Sequence, residues 1–152
     1  MKLDKEQIEA IAKAIHENYR RNNPGSQYAK EWKDLPEDIK QTTRDQANAF
    51  AEHIEFLGMK IKAKGTIVNP IAQLTDEQIE ALAERIHHIW LKSKHDDGWM
   101  YSRTRNDAKK RHNLLVGYDE LDEREKEKEK DRAIAREILP LLDKAGFGVY
   151  KV

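Results

Sequence analysis

The stretch that decides the fold runs from Leu3 to His16 and reads LDKEQIEAIAKAIH. It returns 71 residues later, from Leu74 to His87, as LTDEQIEALAERIH. In both copies apolar residues recur at intervals of three and four, which is the spacing of one face of an α-helix. An amphipathic helix that returns at a fixed distance is typical of a fold built from duplicated structural units.

Both copies carry the same signal for the start of a helix. Asp4 in the first copy and Thr75 in the second can each accept a hydrogen bond from the backbone of the first helical turn. Gln7 and Gln78 follow three residues later and complete the capping-box pattern, in which the glutamine side chain bonds back to the cap residue. The sequence therefore predicts helices that begin directly after Asp4 and Thr75.

A second pair of similar segments follows these helices. The first starts at Leu35-Pro36-Glu37 and ends at Leu57-Gly58, and the second starts at Leu121-Asp122-Glu123 and ends at Ala145-Gly146. Proline in a first turn and glycine just beyond a last turn are typical of helix ends. The offset at the starts is 86 residues, so the second copy has about 15 extra residues, which fall within residues 94–117.

These patterns predict an all-α fold of two tandem helical hairpins related by a pseudo-twofold. One hairpin covers residues 1–66 and the other covers 67–152, and the offset of 86 aligns Arg44 with Lys130. We expect one compact globular unit, because neither hairpin has enough apolar residues for a core of its own. Short β segments are expected at most after the second helix of each copy, where apolar residues alternate.

The alternating charges from Glu123 to Arg132 are interpreted as the solvated first half of the last helix. On a helix, pairs such as Glu123 with Lys126 attract, whereas pairs such as Glu125 with Glu129 repel. The two effects roughly cancel, so we expect the apolar residues that follow to hold this helix in place.

The composition excludes several classes of function. Lys plus Arg and Asp plus Glu each number 28, a balance that argues against binding of nucleic acid or anionic membranes by the chain as a whole. Without cysteine there is no thiolate nucleophile and no thiolate zinc site. No apolar stretch is long enough to span a membrane, and the amphipathic N-terminus does not resemble a signal peptide. We therefore expect a cytoplasmic protein with no membrane partner.

The long connection of the second copy has the most unusual composition. Gly98–Leu115 contains two aromatic rings, five Lys or Arg residues and one histidine. This inventory suits a nucleotide-like ligand, because a ring can stack on a base while cations meet phosphates. The structural alternative is that Trp99 and Tyr101 fill the core of the hairpin and the cations are solvated.

The second copy resembles the ryanodine-receptor repeat in the order and spacing of its residues. The matching positions are His87, Trp90, Gly98-Trp99, Tyr101, Arg105, Asp107, Lys109, His112, Leu115, Leu121 and Glu123. The first copy resembles a divergent version that is often found in bacterial and phage proteins, through His16, Tyr19, Trp32, Leu35-Pro36-Glu37, Arg44 and Gln46. It lacks the Gly-Trp-x-Tyr and basic segments, and Asn106, Asn113 and Asp122 depart from the pattern in the second copy, so an asymmetric pocket is expected.

The resemblance implies a non-enzymatic module that binds a small molecule. Paired repeats of this kind form a peripheral cytoplasmic domain of calcium-release channels that can hold an adenine nucleotide, and prokaryotic members are suspected of sensing nucleotide-derived signals. An adenine nucleotide or ADP-ribose-like ligand is therefore expected, with the protein acting as a sensor or a sequestering sponge in signalling or anti-defence. The candidate ligand-binding residues are Trp99, Tyr101, Arg105, Asp107, Lys109, His112, Trp90, Trp32, Tyr19, His16 and Arg44.

The resemblance also suggests roles for these residues. Trp99 and Trp32 would stack on the ligand. Arg105 and Lys109 would pair with phosphate. Asp107 and Tyr101 would form hydrogen bonds with it. For His16 and His87 a structural role is the alternative, in which the ring satisfies a backbone carbonyl.

Other functions remain open at this point. The main alternative is a protein-interaction or assembly module, which could form a homo-oligomer. A second alternative is a module that binds RNA or single-stranded DNA through Arg103–Arg111. Enzyme activity is not expected, because the sequence has no Gly-x-Ser-x-Gly elbow and no phosphate-cradling glycine loop. Neither His87-His88 nor His95-Asp96-Asp97 has the spacing of a zinc-binding helix, so no metal is expected, and no cofactor.

Overall fold

The computed structural model describes residues 3–121 and 127–152, and these are mostly helical. The α-helices are α1 (Lys5–Asn22), α2 (Glu37–Phe56), α3 (Asp76–Asp96) and α4 (Glu127–Lys144). The strands are β1 (Met59–Ala63), β2 (Met100–Tyr101), β3 (Arg111–His112) and β4 (Phe147–Lys151). The expected helix start at Asp122 and the expected Glu123–Lys126 pair lie outside the described residues.

The helix starts that the sequence predicts are confirmed. At α1 the Gln7 N–H donates to Asp4 Oδ1 at 2.8 Å, and the Asp4 N–H donates to Gln7 Oε1 at 3.0 Å. At α3 the Gln78 N–H donates to Thr75 Oγ1 at 3.1 Å, and the Thr75 N–H donates to Gln78 Oε1 at 2.9 Å. Each box satisfies two N–H groups that a helix N-terminus otherwise leaves without a partner.

The predicted helix ends are confirmed by the backbone of two glycines. Gly58 follows α2 with φ of +75°, and Gly146 follows α4 with φ of +95°. A side chain is disfavoured in this left-handed region, so glycine is the residue that ends a helix there at least cost. Each glycine turns the chain directly into a strand.

The contacts group the chain into two compact units. One comprises Met1–Leu74 and Glu137–Val152, and the other comprises Thr75–Arg136. The grouping thus follows contacts rather than the order of the chain, because the first unit combines residues from both ends of the sequence.

The first unit contains an antiparallel pair of strands, β1 with β4. Its register sets Ile61 opposite Val149. Both side chains are buried, as is Met59, whereas Lys60 and Lys62 are exposed, which is the alternation expected of a sheet with one covered face. The sequence allows at most short β segments after the second helix of each copy, and the fold shows that β1 and β4 pair with each other.

Apolar residues of α1 and α2 contribute to the core of the first unit. Ile11 and Ala12 of α1 are fully buried, and so are Ala47 and Ile54 of α2. These positions follow the helical period, so each helix presents one apolar face to the core. Burial of one large apolar side chain contributes about 1.5–3 kcal/mol.

The second unit has its own small core, in which Ala83 of α3 packs with Tyr118 and Leu121. Within the connection that follows α3, β2 and β3 pair in parallel, with Met100 opposite Arg111. The prediction that β structure would occur only after the second helices is therefore wrong. A ladder of two residues has no alternating apolar pattern that a sequence could reveal.

Over the part of the chain that the structure describes, no helix combines the length and apolar character needed to cross a membrane.

Candidate functional site

The end of α3 positions the first two groups of the candidate site. Gly98 has φ of +87°, and the Trp99 N–H donates to the Lys94 carbonyl at 2.9 Å, so the chain folds back on the last turn of α3. The Lys94 Nζ consequently lies 4.5 Å from the centroid of the Trp99 ring. This is a cation–π arrangement, and it brings a positive charge to the face of a half-buried indole.

His112 of β3 completes a cluster of rings. Its centroid lies 5.2 Å from that of Trp90 and 6.0 Å from that of Trp99. The ring is buried, and its Nδ1 accepts a hydrogen bond from the Leu114 N–H at 3.1 Å. Burial lowers the pKa of His112, and nearby Arg105 adds to that effect. A neutral ring with its proton on Nε2 agrees with these contacts, so His112 can donate one hydrogen bond but does not act as a cation.

Arg105 and Asp107 form an ion pair beside this cluster. The Arg105 Nε donates to Asp107 Oδ1 at 2.7 Å, and Nη2 donates to Oδ2 at 3.3 Å. The pair raises the pKa of Arg105 and lowers the pKa of Asp107. Both side chains are more than half exposed, so water competes strongly for this contact. An anionic ligand would find Arg105 already paired with a carboxylate.

The remaining predicted residues of the connection are exposed. Lys109 is exposed, and Tyr101 exposes 53% of its surface. The alternative that both aromatic residues fill the core is therefore wrong for Tyr101, whereas Trp99 is half-buried. Lys110 has φ of +53° and donates through Nζ to the Asp97 carbonyl at 2.8 Å, which fastens the connection to the end of α3.

Trp90, Lys94, Trp99, Arg105, Asp107 and His112 make up what we call the ring-and-cation cluster. Its chemistry combines faces on which a planar ring can stack with positive charges that attract an anion. Lys94 was not predicted from the sequence. Its spacing of four residues from Trp90, on one face of α3, was the signal that could have identified it.

The candidate residues of the first copy are engaged in internal contacts. The Trp32 Nε1 donates to Glu9 Oε1 at 2.7 Å, and the Arg44 Nε donates to Glu9 Oε2 at 2.8 Å. A further bond joins Arg44 Nη1 to Glu37 Oε1 at 2.8 Å. Arg44 holds the pKa of Glu9 below its usual range. Glu9 thus ties α1 both to the connection and to α2.

The two remaining candidates of the first copy also have partners. The His16 Nε2 lies 2.6 Å from the Lys30 carbonyl oxygen, to which it donates, and Tyr19 shares a 2.6 Å hydrogen bond with Ser26. The His16 ring stacks near Tyr19 at 6.3 Å. His16 therefore has the carbonyl contact of the structural alternative.

A matching carboxylate occurs in the second copy. Glu80 lies 71 residues after Glu9, and its Oε1 accepts from the Tyr118 hydroxyl at 2.7 Å. The Arg132 Nε donates to Glu80 Oε2 at 2.7 Å, and Nη2 donates to Oε1 at 3.1 Å. Arg132 lowers the pKa of Glu80, and burial together with Glu80 raises the pKa of Tyr118. The sequence prediction missed this set of three residues.

Arg132 makes a contact with Glu80 that resembles the contact of Arg44 with Glu9. Arg132 donates through Nε to Glu80 Oε2, as Arg44 donates through Nε to Glu9 Oε2. Arg132 lies 88 residues after Arg44. By these contacts Arg44 corresponds to Arg132, whereas the offset of 86 in the sequence pairs it with Lys130. The offset of 88 also relates Gly58 to Gly146, so the two additional residues lie between Leu121 and Arg132.

The structure thus assembles the predicted residues in two groups. His16, Tyr19, Trp32 and Arg44 lie in the unit that begins the chain, and the ring-and-cation cluster lies in the unit of Thr75–Arg136. A cavity of about 480 Å³ in the first unit, between residues 64–72, the end of α4 and β4, is lined by none of the candidate residues. Over residues 3–121 and 127–152, no group of three His, Cys, Asp or Glu side chains is placed to hold a metal.

Comparison with protein families identifies the part of the chain that carries the ring-and-cation cluster. The model of the RyR domain matches residues 70–151, which is more than half of the 152 residues. The matched segment includes α3, the long connection, α4 and β4. The chain therefore belongs to the RyR domain family.

Proposed function

We propose that this protein is a non-enzymatic module that binds a nucleotide or a nucleotide-derived signal, such as an adenine nucleotide or an ADP-ribose-like molecule. The observation that carries the proposal is the ring-and-cation cluster. In it the half-buried Trp99 lies under the Lys94 ammonium group, and Arg105 lies close enough to His112 to influence its protonation. An apolar plug would not need cations at its rim, whereas a ligand with a base and a phosphate uses both.

The contacts available set the expected affinity. Stacking of one base on an aromatic side chain contributes about 1–3 kcal/mol. A hydrogen bond between a charged donor and a phosphate contributes about 1.5–3 kcal/mol. One of the former and two of the latter sum to about 4–9 kcal/mol before the cost of association, so these contacts by themselves support a dissociation constant no tighter than about 1 µM. For Arg105 to bind a phosphate, its ion pair with Asp107 would have to break, or Arg105 would have to contact both anions.

We further propose that the first half of the chain is a second, divergent copy of the repeat, of the type found in bacterial and phage proteins. Support comes from the carboxylates Glu9 and Glu80, each of which accepts from an aromatic side chain and an arginine. In the β1–β4 pair, Ile61 faces Val149, which lies 88 residues later. Equivalent residues that face each other in an antiparallel pair are what a local twofold axis requires.

The two copies would then have different tasks. In the first, the aromatic and arginine side chains are bound to Glu9, so this copy contributes structure. In the second, Tyr118 takes the place of Trp32 on the carboxylate, and Trp99 remains for a ligand. Such a protein would act in the cytoplasm, as a sensor or as a sponge that lowers the free concentration of a signal.

Calorimetric titration with ATP, ADP-ribose and cyclic nucleotides tests the proposal. Trp99→Ala and Lys94→Met should each weaken binding about tenfold, since each removes about 1.4 kcal/mol of contact. Lys92→Met is the matched control, because Lys92 is exposed on the same helix and pairs with Asp96; it should change the affinity less than twofold. The absence of binding below 1 mM for every nucleotide, or equal effects of the two lysine variants, would refute the proposal.

An assembly module is the second candidate, and one observation favours it. Met100 and Tyr101 are adjacent on β2 and expose 58% and 53% of their surfaces. In a two-stranded sheet β2 has an outer edge at which a second chain can pair, and its two exposed apolar side chains flank that edge on opposite faces. Light scattering on wild type and on Tyr101→Ser tests this candidate. A stable oligomer that dissociates in the variant and is unaffected by nucleotides would support assembly, and a monomer would exclude self-association.

A further inference from the structure

His87 of α3 is held between two other segments of its unit. The side chain is 4% exposed, and its Nε2 lies 2.6 Å from the Val116 carbonyl oxygen. A carbonyl can only accept, so Nε2 must carry a proton. On the other side of the ring, Nδ1 lies 3.4 Å from the Asp131 Oδ2 of α4, whose side chain is 15% exposed.

This geometry favours a charged ring. In a neutral imidazole with its proton on Nε2, the Nδ1 lone pair would face a carboxylate, and the two negative densities would repel each other. A second proton on Nδ1 converts this repulsion into a largely buried ion pair and leaves both nitrogens with an acceptor. The pKa of His87 is raised, because the contact with Asp131 outweighs the opposing effect of burial.

Among the described residues, the titratable side chains His88 and Tyr118, whose rings lie next to that of His87, have contacts of their own. His88 on α3 lies 6.0 Å from His87 between ring centroids, and its Nε2 is placed to accept from the Tyr118 N–H at 3.4 Å. Tyr118 lies 6.2 Å away, and its hydroxyl donates to Glu80, which in turn is paired with Arg132. Within the described part of the chain, the carboxylate of Asp131 is the charged group paired with Nδ1.

The first copy repeats the histidine but not the carboxylate. His16 makes the same contact as His87, from Nε2 to the Lys30 carbonyl oxygen. Thr43 stands 88 residues before Asp131, and its hydroxyl donates to the Ile39 carbonyl at 3.1 Å. A carboxylate at this position accordingly belongs to the copy that carries the ring-and-cation cluster.

We propose that His87 is a proton-dependent clasp that regulates the ring-and-cation cluster. The charged ring fastens the Val116 segment and α4 to α3. Trp90 lies 5.6 Å from His87 and 5.2 Å from His112 between ring centroids, so a change at the clasp reaches the cluster through packed rings. When the proton is lost, Asp131 and Nδ1 repel each other and the cluster loosens. The loosening of the cluster is independent of the proposed function. Only the expectation that this loosening changes the binding of a ligand rests on the proposed function.

The direction of the pH dependence follows from the raised pKa. The stabilising contribution of the ion pair is complete below the ordinary histidine value of 6.5 and is lost as the pH rises through the higher value of the folded state. The cluster should therefore be more ordered at pH 6 than at an alkaline pH such as 9.

Nuclear magnetic resonance of the full, unliganded chain tests the clasp without any nucleotide, so failure of the proposed function would not affect the result. The His87 ring signals should titrate with a midpoint above 6.5, and the indole signals of Trp90 and Trp99 should shift at that same midpoint, unlike those of Trp32. Asp131→Thr introduces the residue type that Thr43 provides in the first copy. It should lower the midpoint by at least about one pH unit. The His16 signals serve as the control in this variant and should not change.

Three outcomes would overturn the proposal. The first is a His87 midpoint at or below 6.5, and the second is a midpoint that Asp131→Thr does not change. The third is that the indole signals of Trp90 and Trp99 do not follow His87 in the wild type. The wild-type titration is decisive by itself if the variant does not fold.

Discussion

Replacing Arg44 by methionine removes the group that links Glu9 to α2, and its cost can be worked out from the contacts. Arg44 donates two hydrogen bonds to Glu9, at 2.8 and 3.4 Å, and one to Glu37 at 2.8 Å. The side chains of Arg44 and Glu9 are 22% and 34% exposed, whereas that of Glu37 is 76% exposed. The pair with Glu9 should therefore dominate the cost.

The expected coupling energy lies between two known limits. Exposed ion pairs contribute about 0.2–1 kcal/mol, and breaking a fully buried pair costs about 3–5 kcal/mol. For partly buried partners with two hydrogen bonds we expect a coupling of about 1–2 kcal/mol between Arg44→Met and Glu9→Gln. A loss of about 1–2 kcal/mol in the free energy of unfolding lowers the melting temperature by roughly 2–8 °C in a protein of this size.

Urea unfolding followed by circular dichroism at pH 7 measures the coupling through a double-mutant cycle. Arg21→Met is the control, because Arg21 is exposed on α1 of the same unit and should cost less than about 0.5 kcal/mol. A coupling energy below about 0.3 kcal/mol, or an Arg44→Met variant as stable as the control, would show that the contact between Glu9 and Arg44 does not stabilise the fold. Arg44 would then be available for a ligand.

Two further predictions concern acid and the helix ends. Arginine partners hold the pKa values of Glu9 and Glu80 below the usual 4.5, so their stabilisation is complete above pH 4.5 and is lost as the pH falls through the folded-state values. Melting temperatures between pH 5 and 3 should fall less steeply when both are glutamine, and an unchanged slope would contradict this. Gly146→Ala should cost about 1–2 kcal/mol in urea unfolding, because its φ is +95° although nothing lies within 4 Å of the added methyl group. Gly25→Ala, which also meets nothing within 4 Å, should cost less than about 0.5 kcal/mol, and equal costs would refute the backbone argument.

Much of the helical framework could be predicted because its signals are local. The capping boxes at Asp4 and Thr75 join residues three apart, and Gly58 and Gly146 act through their own backbone angles. Such signals do not depend on what the rest of the chain does. The resemblance to the RyR repeat was likewise readable, because it rests on the order and spacing of residues.

The alignment of α4 with α2 could not be predicted from local signals. From Glu123 to Arg132 the sequence alternates in charge, and Lys130 and Arg132 are equivalent in a pattern of that kind. The choice between them is made by Glu80, whose contact with Arg132 joins residues 52 apart in sequence. Only a fold that brings α3 and α4 together can make that choice.

The sequence by itself determined where α1 and α3 start and where α2 and α4 end, that an amphipathic helix occurs twice, and which family the second half resembles. The tertiary structure alone decided which aromatic and arginine side chains are bound internally, as Trp32 and Arg44 are, and which ring remains beside a cation, as Trp99 does next to Lys94. It also decided that β1 pairs with β4. The physical reason is that a residue type specifies what a side chain can bind, whereas its partner is selected by contacts between residues distant in the chain.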